Sequence, residues 1–411
     1  MSNNVKALKQ TVDYNSNSSG QVVQSAPRSV TVLGSTGSVG TQTLELIEAN
    51  RGQFNVVALT ANQNVELLIK QALALRPEIV VIGDETKYKA LKDGLAGKGI
   101  ELAAGGAAVT QAAERPSDWV MAAIVGAAGL PPTLAAVKRG ATVAFANKEC
   151  LVCAGPLMMR EVKEHGAQLL PVDSEHNAIY QVFDDEGRDG IDRLILTASG
   201  GPFRHTSLED MARVTPQEAV KHPVWSMGSK ISIDSATMMN KGLEIIEASF
   251  LFDMPEDKIG VIVHPQSVIH SMVEYKDGSV LAQLGSPDMR TPIAYALAYP
   301  KRMTTPAARL NLAQIGSLTF EEPDTTRFRS LILTREALKR GGTAPTVLNA
   351  ANEIAVDAFL NGQIGFLDIA KIVEETLSHI TISPLDSLEA VNTSDAAARR
   401  MALDKVKACA K

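Results

Sequence analysis

Two acidic residues lie close together at a position that could bind a metal ion. Asp173 and Glu175 follow the apolar run Leu169–Val172, which predicts a strand. In an extended chain, residues two apart face the same side, so both carboxylates would point the same way. Two such carboxylates and a third oxygen donor are the ligands that Mg²⁺ or Mn²⁺ prefers. A solvated acidic loop is the alternative interpretation of so short a pattern.

A third carboxylate lies in a segment whose spacing predicts a helix over residues 235–247. Asn240, Lys241 and Glu244 are three and four residues apart there, and they would share one helical face. An amide, an ammonium and a carboxylate on one face could hold a phosphate and complete a metal site. Glu247 is within reach of the same face, and a simple Lys241–Glu244 ion pair also explains the pattern. The residues alone leave these alternatives open.

Two further segments have the composition of ligand-binding loops. Ser199 is followed by two glycines at the end of a predicted strand, which offers a hydroxyl and free N–H groups to a phosphate. A structural turn is the alternative there. His222 and Trp225 precede Gly228 in a predicted loop, and loops of this kind often close over ligands. A lone histidine is more often structural than catalytic, so a structural role for His222 is the alternative.

A glycine-rich turn is the candidate nucleotide site. Gly34, Gly37 and Gly40 give the spacing G-x-x-G-x-x-G directly after the apolar run Val30–Leu33. Glycine permits a tight turn and the close approach of a pyrophosphate, and a helix N-terminus favours the anion, although some glycine turns are purely structural. No carboxylate follows the second predicted strand, which favours NADP over NAD because a carboxylate would repel a 2′-phosphate. The polar residues that stand there instead are Asn62, Gln63 and Asn64.

Strands and helices must position these residues. From residue 29 to 173, short apolar runs alternate with amphipathic stretches. This alternation predicts βαβ units and a doubly wound parallel sheet. The predicted strands are Val30–Leu33, Asn55–Leu59, Ile79–Ile82, Met121–Val125, Val143–Ala146 and Leu169–Val172, with helices that include Thr43–Ala49 and Val65–Leu75.

The pattern changes after residue 173. Strands are predicted at Arg193–Thr197, Val261–Val263, Val268–Glu274 and Ser279–Leu284, with a hairpin turn at Asp277-Gly278. The predicted fold class is α/β: a Rossmann-type parallel sheet domain at 29–173, a central α+β domain at 174–299, a linker at 300–327 and a C-terminal helical domain at 328–411. Residues 1–28 are polar and lack an apolar targeting segment, so they are predicted to be a disordered tail.

The bulk composition limits the partners. The 411 residues carry a formal net charge of −6, which gives no general reason to bind nucleic acid or anionic lipid. The apolar run Val120–Val137 is interrupted by Gly and Pro and is not predicted to span a membrane. Three cysteines give no disulfide framework and suit a reducing cytoplasm. Cys150 and Cys153 match C-x-x-C, so a redox or zinc pair is an alternative to two buried thiols.

Taken together, these segments resemble the 1-deoxy-D-xylulose 5-phosphate reductoisomerase family from about residue 29 to about residue 366. The motifs that carry the resemblance are Gly34-Ser-Thr-Gly-Ser-Val-Gly40, Ala146-Asn-Lys-Glu149, Leu170-Pro-Val-Asp-Ser-Glu-His-Asn-Ala178, Ser199-Gly-Gly-Pro202, His222 to Lys230, Asp234 to Glu244 and His264-Pro-Gln-Ser-Val-Ile-His270. The resemblance implies three domains, a homodimer, a small sugar phosphate substrate, NADPH, and Mg²⁺ or Mn²⁺.

The resemblance also implies roles for individual residues. Asp173, Glu175 and Glu244 would bind the metal; Ser199, Ser235, Asn240 and Lys241 the phosphate; Ser174 and Lys148 the hydroxyl end of the substrate. His222 and Trp225 would belong to a lid with Met227 near the cofactor, and Lys148, Glu175 and His222 would be catalytic. The implied cofactor contacts are Gly34, Thr36, Gly37, Ser38, Val39, Asn62, Gln63, Asn64, Ala123, Asn147, Glu149 and Met227.

The reaction that the resemblance implies is a metal-assisted retroaldol–aldol rearrangement followed by hydride reduction, in cytoplasmic non-mevalonate isoprenoid biosynthesis. One departure is Gln63, where many family members carry a basic residue that would contact the 2′-phosphate. Two other interpretations are an NADP-linked semialdehyde dehydrogenase with Cys150 or Cys153 as nucleophile, and a nucleotide-sensing module with an inactive site.

Overall fold

The computed structural model describes residues 26–222, 224–225 and 228–409. The described chain forms two compact units. The first comprises the residues up to Asn147, Arg160–Asp173 and Met289–Pro306; the second comprises Lys148–Met159, Ser174–Asp288 and the residues from Ala307 onward. Most of the predicted disordered tail lies outside the described residues, and Arg28 already belongs to the first strand. The predicted domain boundaries stay a prediction.

The strands and helices are numbered along the chain. The strands are β1 (Arg28–Leu33), β2 (Phe54–Ala61), β3 (Ile79–Ile82), β4 (Glu101–Ala104), β5 (Trp119–Ala122), β6 (Thr142–Phe145), β7 (Gln168–Pro171), β8 (Ile191–Ala198), β9 (Ile259–Val263), β10 (Ile269–Tyr275) and β11 (Val280–Leu284). The helices are α1 (Ser38–Ala49), α2 (Val65–Leu75), α3 (Tyr88–Gly94), α4 (Gly106–Glu114), α5 (Leu130–Lys138), α6 (Lys148–His165), α7 (Ser174–Val182), α8 (Leu208–Met211), α9 (Pro216–Ala219), α10 (Ser229–Ala236), α11 (Met239–Leu251), α12 (Arg290–Ala298), α13 (Leu312–Ile315), α14 (Ser330–Arg340), α15 (Ala344–Leu360), α16 (Asp368–His379) and α17 (Leu388–Cys409).

The first unit is built on a seven-stranded parallel sheet in the order β4-β3-β2-β1-β5-β6-β7. Its central strands are almost wholly apolar and buried, as in the run Ile79–Ile82, because helices cover both faces of a parallel sheet. The chain moves outward in opposite directions on the two sides of β1. The crevice beyond the carboxyl ends of β1 and β5 is therefore the switch point at which doubly wound sheets bind ligands.

The second unit contains a mixed four-stranded sheet in the order β11-β10-β8-β9. Strand β10 runs antiparallel to β8 and β11, whereas β8 and β9 are parallel. The hairpin between β10 and β11 turns at Asp277-Gly278, and Gly278 has a φ of +87° that suits glycine. Helix α15 is buried along most of its length and packs against α14, α16 and α17. The predicted fold class, a Rossmann-type sheet followed by α+β and helical parts, is confirmed.

The run Val120–Val137 divides between strand β5 and helix α5, as its Gly and Pro residues indicate. Among the described residues, no helix has both the length and the hydropathy that a membrane crossing requires.

Candidate active site

A cluster of acidic and basic side chains, most of them buried, lies in the second unit. Glu175 is in the first turn of α7 and Glu244 is in α11, and a carboxylate oxygen of each lies within 4.8 Å of the other. Lys241 Nζ lies 2.9 Å from Glu175 Oε1 and also contacts Glu244 Oε2. Lys148 Nζ lies 3.0 Å from both Glu244 Oε1 and Asn240 Oδ1. Two carboxylates thus share two ammonium groups in a site that is almost closed to solvent.

The backbone around Asp173 and Glu175 differs from the predicted extended chain. They do not lie two apart on one side of an extended chain, because α7 begins at Ser174. Ser174 Oγ instead donates a hydrogen bond to Glu175 Oε2 within the first turn. Asp173 ends the first unit and is joined directly to Ser174. The peptide chain alone therefore keeps its carboxylate within reach of the start of α7.

The helix predicted over residues 235–247 is two helices, so that prediction is wrong in one respect. Helix α10 ends at Ala236 and α11 begins at Met239, and between them Met238 has a φ of +61° in the left-handed region. Ser235 consequently belongs to a different helix from Asn240. The predicted common face of Asn240, Lys241 and Glu244 is confirmed, since the side chains of Asn240 and Lys241 both donate to the Glu244 carboxylate.

Glu247 lies on the same helix as Glu244 but engages a different partner. Its Oε2 lies 3.3 Å from Nδ1 of His176, and both side chains are fully buried. Nε2 of His176 lies 3.0 Å from the backbone carbonyl oxygen of Glu244, and a carbonyl only accepts, so Nε2 carries a proton. The carboxylate that faces the two lysines is therefore that of Glu244.

The glycine turn after β8 lies against the end of α10. Gly201 has a φ of +67°, and a Cβ atom there would stand 2.8 Å from the backbone oxygen of Ser235. Ser199 Oγ accepts a hydrogen bond from the Gly201 N–H at 3.2 Å, which fixes the turn. This close backbone approach brings the Ser199 and Ser235 segments side by side.

His222 is held in one tautomer by its neighbours. Its Nδ1 accepts hydrogen bonds from the backbone N–H groups of Val224, at 3.1 Å, and Trp225, at 2.8 Å. The ring proton of the neutral imidazole is therefore on Nε2, which lies 2.9 Å from Ser199 Oγ. Burial lowers the pKa of His222, which favours this neutral form.

The indole of Trp225 lies near His270, a residue not predicted for the site. The two ring centroids are 6.3 Å apart, and burial lowers the pKa of His270 to about 4. The sequence signal was its place at the end of the segment His264–His270. Met227, predicted to contact the cofactor, lies outside the described residues.

The three glycines of the turn after β1 have different steric surroundings. Gly34 has a φ of +84°, and a Cβ atom there would come within 2.7 Å of the Ala123 carbonyl oxygen. A Cβ atom on Gly40 would collide with the backbone oxygen of Gly34. At Gly37 the nearest atom would be 3.5 Å away, an ordinary contact. The fold itself thus requires glycine at 34 and 40, whereas at 37 it leaves room.

The other predicted cofactor residues lie around the ends of the parallel strands. Asn147 Nδ2 donates to the Gly126 carbonyl oxygen at 2.9 Å and so holds the segment after β5. Asn64 Oδ1 caps α2 by accepting from the Leu67 N–H at 3.1 Å. Asn62, Gln63 and Asn64 are exposed after β2, and Ala123 directly follows β5. Thr36 lies in the turn before α1, and Ser38 and Val39 are the first two residues of that helix.

Cys150 and Cys153 are both fully buried in α6. Burial, reinforced by nearby carboxylates, raises the pKa of Cys153 well above its ordinary value. Asn349 Nδ2 lies 3.4 Å from its sulfur. A buried protonated thiol is a poor nucleophile, so the geometry disfavours the thiol-dependent dehydrogenase.

A second buried ionic cluster, not predicted from the sequence, lies beside the first. Lys230 Nζ is 2.7 Å from Asp234 Oδ2 and 3.1 Å from Glu149 Oε1. Asn352 Nδ2 donates to Asp234 Oδ1 at 2.8 Å. The side chain of Glu149, predicted to be near the cofactor, is thus engaged by Lys230. The sequence signals were the i,i+4 spacing of Lys230 and Asp234 and the position of both residues at the ends of recognised motifs.

Three family models match the chain along most of its length. The model for 1-deoxy-D-xylulose 5-phosphate reductoisomerase matches residues 30–155. A model for the C-terminal domain of 1-deoxy-D-xylulose 5-phosphate reductoisomerase matches residues 169–252, and a DXP reductoisomerase C-terminal domain model matches residues 284–401.

Related proteins and solved structures that resemble this chain have the same enzyme name. The 1-deoxy-D-xylulose 5-phosphate reductoisomerase of Rhodospirillum centenum is 65% identical over 93% of this chain and 95% of its own length. That of Zymomonas mobilis is 60% identical over 91% of this chain and 97% of its own length. The structure of the Zymomonas mobilis enzyme in complex with NADPH has a TM-score of 0.89, with 57% identity, over 93% of this chain and 99% of that one. A DOX-P reductoisomerase structure with NADPH, fosmidomycin and magnesium has a TM-score of 0.88, with 44% identity, over 92% of this chain and 98% of that one.

Proposed function

This chain belongs to the 1-deoxy-D-xylulose 5-phosphate reductoisomerase family, and we propose that it converts that sugar phosphate to 2-C-methyl-D-erythritol 4-phosphate, with NADPH and a divalent cation. The observation that carries the proposal is the buried cluster in which Glu175 and Glu244 face Lys148 and Lys241. Carboxylates and ammonium groups brought together in this way suit a substrate that carries both a metal-binding oxygen pair and a phosphate.

The donor set fits a hard divalent cation. Glu175 and Glu244 offer carboxylate oxygens within 4.8 Å of each other, and Asp173 stands directly before α7. Oxygen ligands of this type suit Mg²⁺ and Mn²⁺, and we assign all three carboxylates as ligands. When bound, the cation polarises the substrate carbonyl and orients a neighbouring hydroxyl. Lys148 and Ser174 would contact that hydroxyl end of the substrate.

The phosphate would be held at the other end of the substrate. The proposed groups are the hydroxyls of Ser199 and Ser235, the amide of Asn240 and the ammonium of Lys241. Retroaldol cleavage breaks one carbon–carbon bond and produces two fragments, which an aldol step rejoins as a branched aldehyde. Binding energy at the non-reacting phosphate can hold the phosphate-bearing fragment in place between the two steps.

His222 would act in this site as a neutral hydrogen-bond donor. Its Nε2–H points to Ser199 Oγ, and its Nδ1 is occupied by two backbone N–H groups. With Trp225 it would cover the substrate and exclude water, so that the reactive fragments are not lost. Lys148 and Glu175 are the other two residues for which we propose a catalytic role.

NADPH would bind at the turn between β1 and α1. The room left at Gly37 and the start of α1 suit a pyrophosphate. Gln63 and its asparagine neighbours can hydrogen-bond the 2′-phosphate but supply no charge. We expect NADPH still to be preferred over NADH, because no carboxylate stands after β2 to repel the 2′-phosphate.

We further propose a cytoplasmic homodimer with an NADPH domain, a central catalytic domain and a C-terminal helical domain, in non-mevalonate isoprenoid biosynthesis. An apolar strand edge supports the dimer. Strand β11 ends the second sheet, and its Val280, Leu281 and Leu284 are 48%, 49% and 37% exposed. Exposed apolar edge strands are usually covered in the functional assembly.

The experiment that tests this function follows NADPH absorbance after addition of 1-deoxy-D-xylulose 5-phosphate. We expect oxidation that requires Mg²⁺ or Mn²⁺, stops with EDTA and is slower with NADH. Glu244→Gln should lower kcat/KM by about 10²-fold or more, equivalent to about 2.7 kcal/mol, because one charged ligand is lost.

Glu209→Gln is the matched control, since Glu209 is 84% exposed and lies outside the cluster. NADPH oxidation that persists in EDTA would contradict the metal assignment. Thiol alkylation that abolishes turnover would instead favour a cysteine-dependent dehydrogenase.

A further inference from the structure

The ionic cluster around Lys230 joins residues of the second unit that come from three helices. Lys230 and Asp234 are on α10, Glu149 is in the first turn of α6, and Asn352 is on α15. The side chains of Asp234 and Glu149 are only 2% and 8% exposed, and Asn352 is fully buried. A single ammonium group therefore bridges two buried carboxylates that come from different helices.

Both carboxylates depend on this ammonium. A buried carboxylate that loses its partner is strongly unfavourable, because no water replaces the lost interaction. Burial opposes the charge on Lys230, but the charges of Asp234 and Glu149 outweigh it and keep the pKa of Lys230 well above its ordinary value. The bridge is thus a charged link at neutral pH between the first turn of α6 and helix α10.

Each carboxylate of the bridge adjoins a residue of the candidate active site. Glu149 directly follows Lys148, whose Nζ contacts Asn240 and Glu244. Asp234 directly precedes Ser235, whose backbone lies against the Gly201 turn. Moving α6 relative to α10 would therefore change the spacing between the Lys148 end and the Ser235 end of the site.

We propose that Lys230 is a positioning residue for the reaction, which sets the spacing between Lys148 and the phosphate-binding Ser235 through Glu149 and Asp234. Asn352 holds the second oxygen of Asp234 and so ties this spacing to helix α15. The inference rests on the proposed function. It concerns Lys230, whose ammonium group contacts the carboxylates of Glu149 and Asp234.

The test measures kcat and KM for 1-deoxy-D-xylulose 5-phosphate, NADPH affinity and thermal unfolding of the full chain. Lys230→Met removes the charge and keeps most of the length of the side chain. We expect kcat/KM to fall by about 10²-fold, with a higher KM and a lower kcat, since small misplacements of reacting groups have effects of that order. NADPH affinity is measured separately, because Glu149 is also a predicted cofactor contact, and Lys230→Arg, which keeps the charge, should recover most of the loss in kcat/KM.

A control separates positioning from stability. Lys258→Met removes an exposed ion pair, with Lys258 Nζ 2.7 Å from Asp192 Oδ1, and should leave every parameter unchanged. A purely structural role for Lys230 would lower the unfolding temperature and the number of NADPH-binding sites, but it would leave KM and the turnover per NADPH site unchanged. That pattern, in Lys230→Met, overturns the proposal.

If Lys230→Met binds no NADPH, Asp234→Asn is judged by the same criteria, because it keeps the shape of the side chain while it removes the charge and replaces one accepting oxygen with an NH2 group. If the parent enzyme is active and the variants have the same kcat and KM as the parent, this inference is wrong but the proposed function stands. A parent without turnover overturns the proposed function, and this inference with it.

Discussion

The protonation state of His222 follows from the atoms around its ring. Two backbone N–H groups point at Nδ1, so a proton on that nitrogen would face two donors and lose both hydrogen bonds. Burial acts in the same direction and lowers the pKa of the imidazole. At neutral pH the residue is therefore a donor to Ser199, and it is poorly suited to act as a proton acceptor through Nδ1.

This arrangement predicts a pH dependence. The unfolded chain binds a proton at His222 near its ordinary pKa of 6.5, whereas the folded chain binds it only at lower pH. The stability that neutral His222 contributes to the fold is thus intact above pH 6.5. It is lost as the pH falls toward the pKa that His222 has in the folded chain. We expect kcat/KM to be flat near neutral pH and to fall on the acid side of 6.5.

His222→Gln separates the hydrogen bond from the titration, because its amide can donate to Ser199 but does not ionise. Its kcat/KM should be lower than that of the parent and should lack the acid-side fall that His222 causes. An identical acid limb in parent and variant would assign that limb to another group.

Among single residues, the sequence was informative where contacts are local. The face shared by Asn240, Lys241 and Glu244 follows from helical spacing, and the structure brings the three side chains together. The pairing of Glu247 with His176 could not be predicted in the same way. It joins residues 71 positions apart through the packing of α7 against α11, which no local pattern encodes.

At the scale of elements, the turn between β1 and α1 gives two matched glycine substitutions. Gly40→Ala should destabilise the first unit by about 1–3 kcal/mol, because its Cβ would collide with the Gly34 backbone oxygen. Gly37→Ala should leave the unfolding temperature nearly unchanged but weaken NADPH binding by about tenfold, since its methyl group would occupy the space left for the pyrophosphate. Thermal unfolding and fluorescence titration with NADPH measure the two effects. Equal loss of stability in both variants would refute this division of roles.

The elements that sequence patterns missed lacked the usual signals. Strand β4 has the sequence Glu-Leu-Ala-Ala, lies at the edge of the sheet and is only partly buried, so it has no continuous apolar run. The break between α10 and α11 occurs at Met238, without a glycine or proline to mark it. The buried strand β3, in contrast, was predicted at its observed bounds because its apolar run Ile-Val-Val-Ile is unbroken.

At the scale of the whole molecule, the candidate site is assembled from distant parts of the chain. Lys148 and Glu244 are 96 positions apart, and Lys230 and Glu149 are 81 apart. Each motif was visible in the sequence, but their convergence depends on the topology of the second unit. The resemblance to a family supplied that convergence for the metal and phosphate residues. It did not supply the pairing of Lys230 with Glu149 and Asp234, although all three residues stand at the ends of recognised motifs.

The proposed homodimer also belongs to this scale, and the open edge of β11 provides its test. Within the described residues, β11 pairs with β10 on one side and with no strand on the other. Leu281 is 49% exposed there, so Leu281→Lys would place a charge in a contact that uses this edge. We expect sedimentation velocity to show a dimer for the parent and a dissociation constant at least about tenfold higher for the variant. Leu403→Lys is the control, because Leu403 is 45% exposed on α17 and lies away from any strand edge. An unchanged dimer in Leu281→Lys would move the interface to another surface, whereas a monomeric parent would contradict the dimer itself.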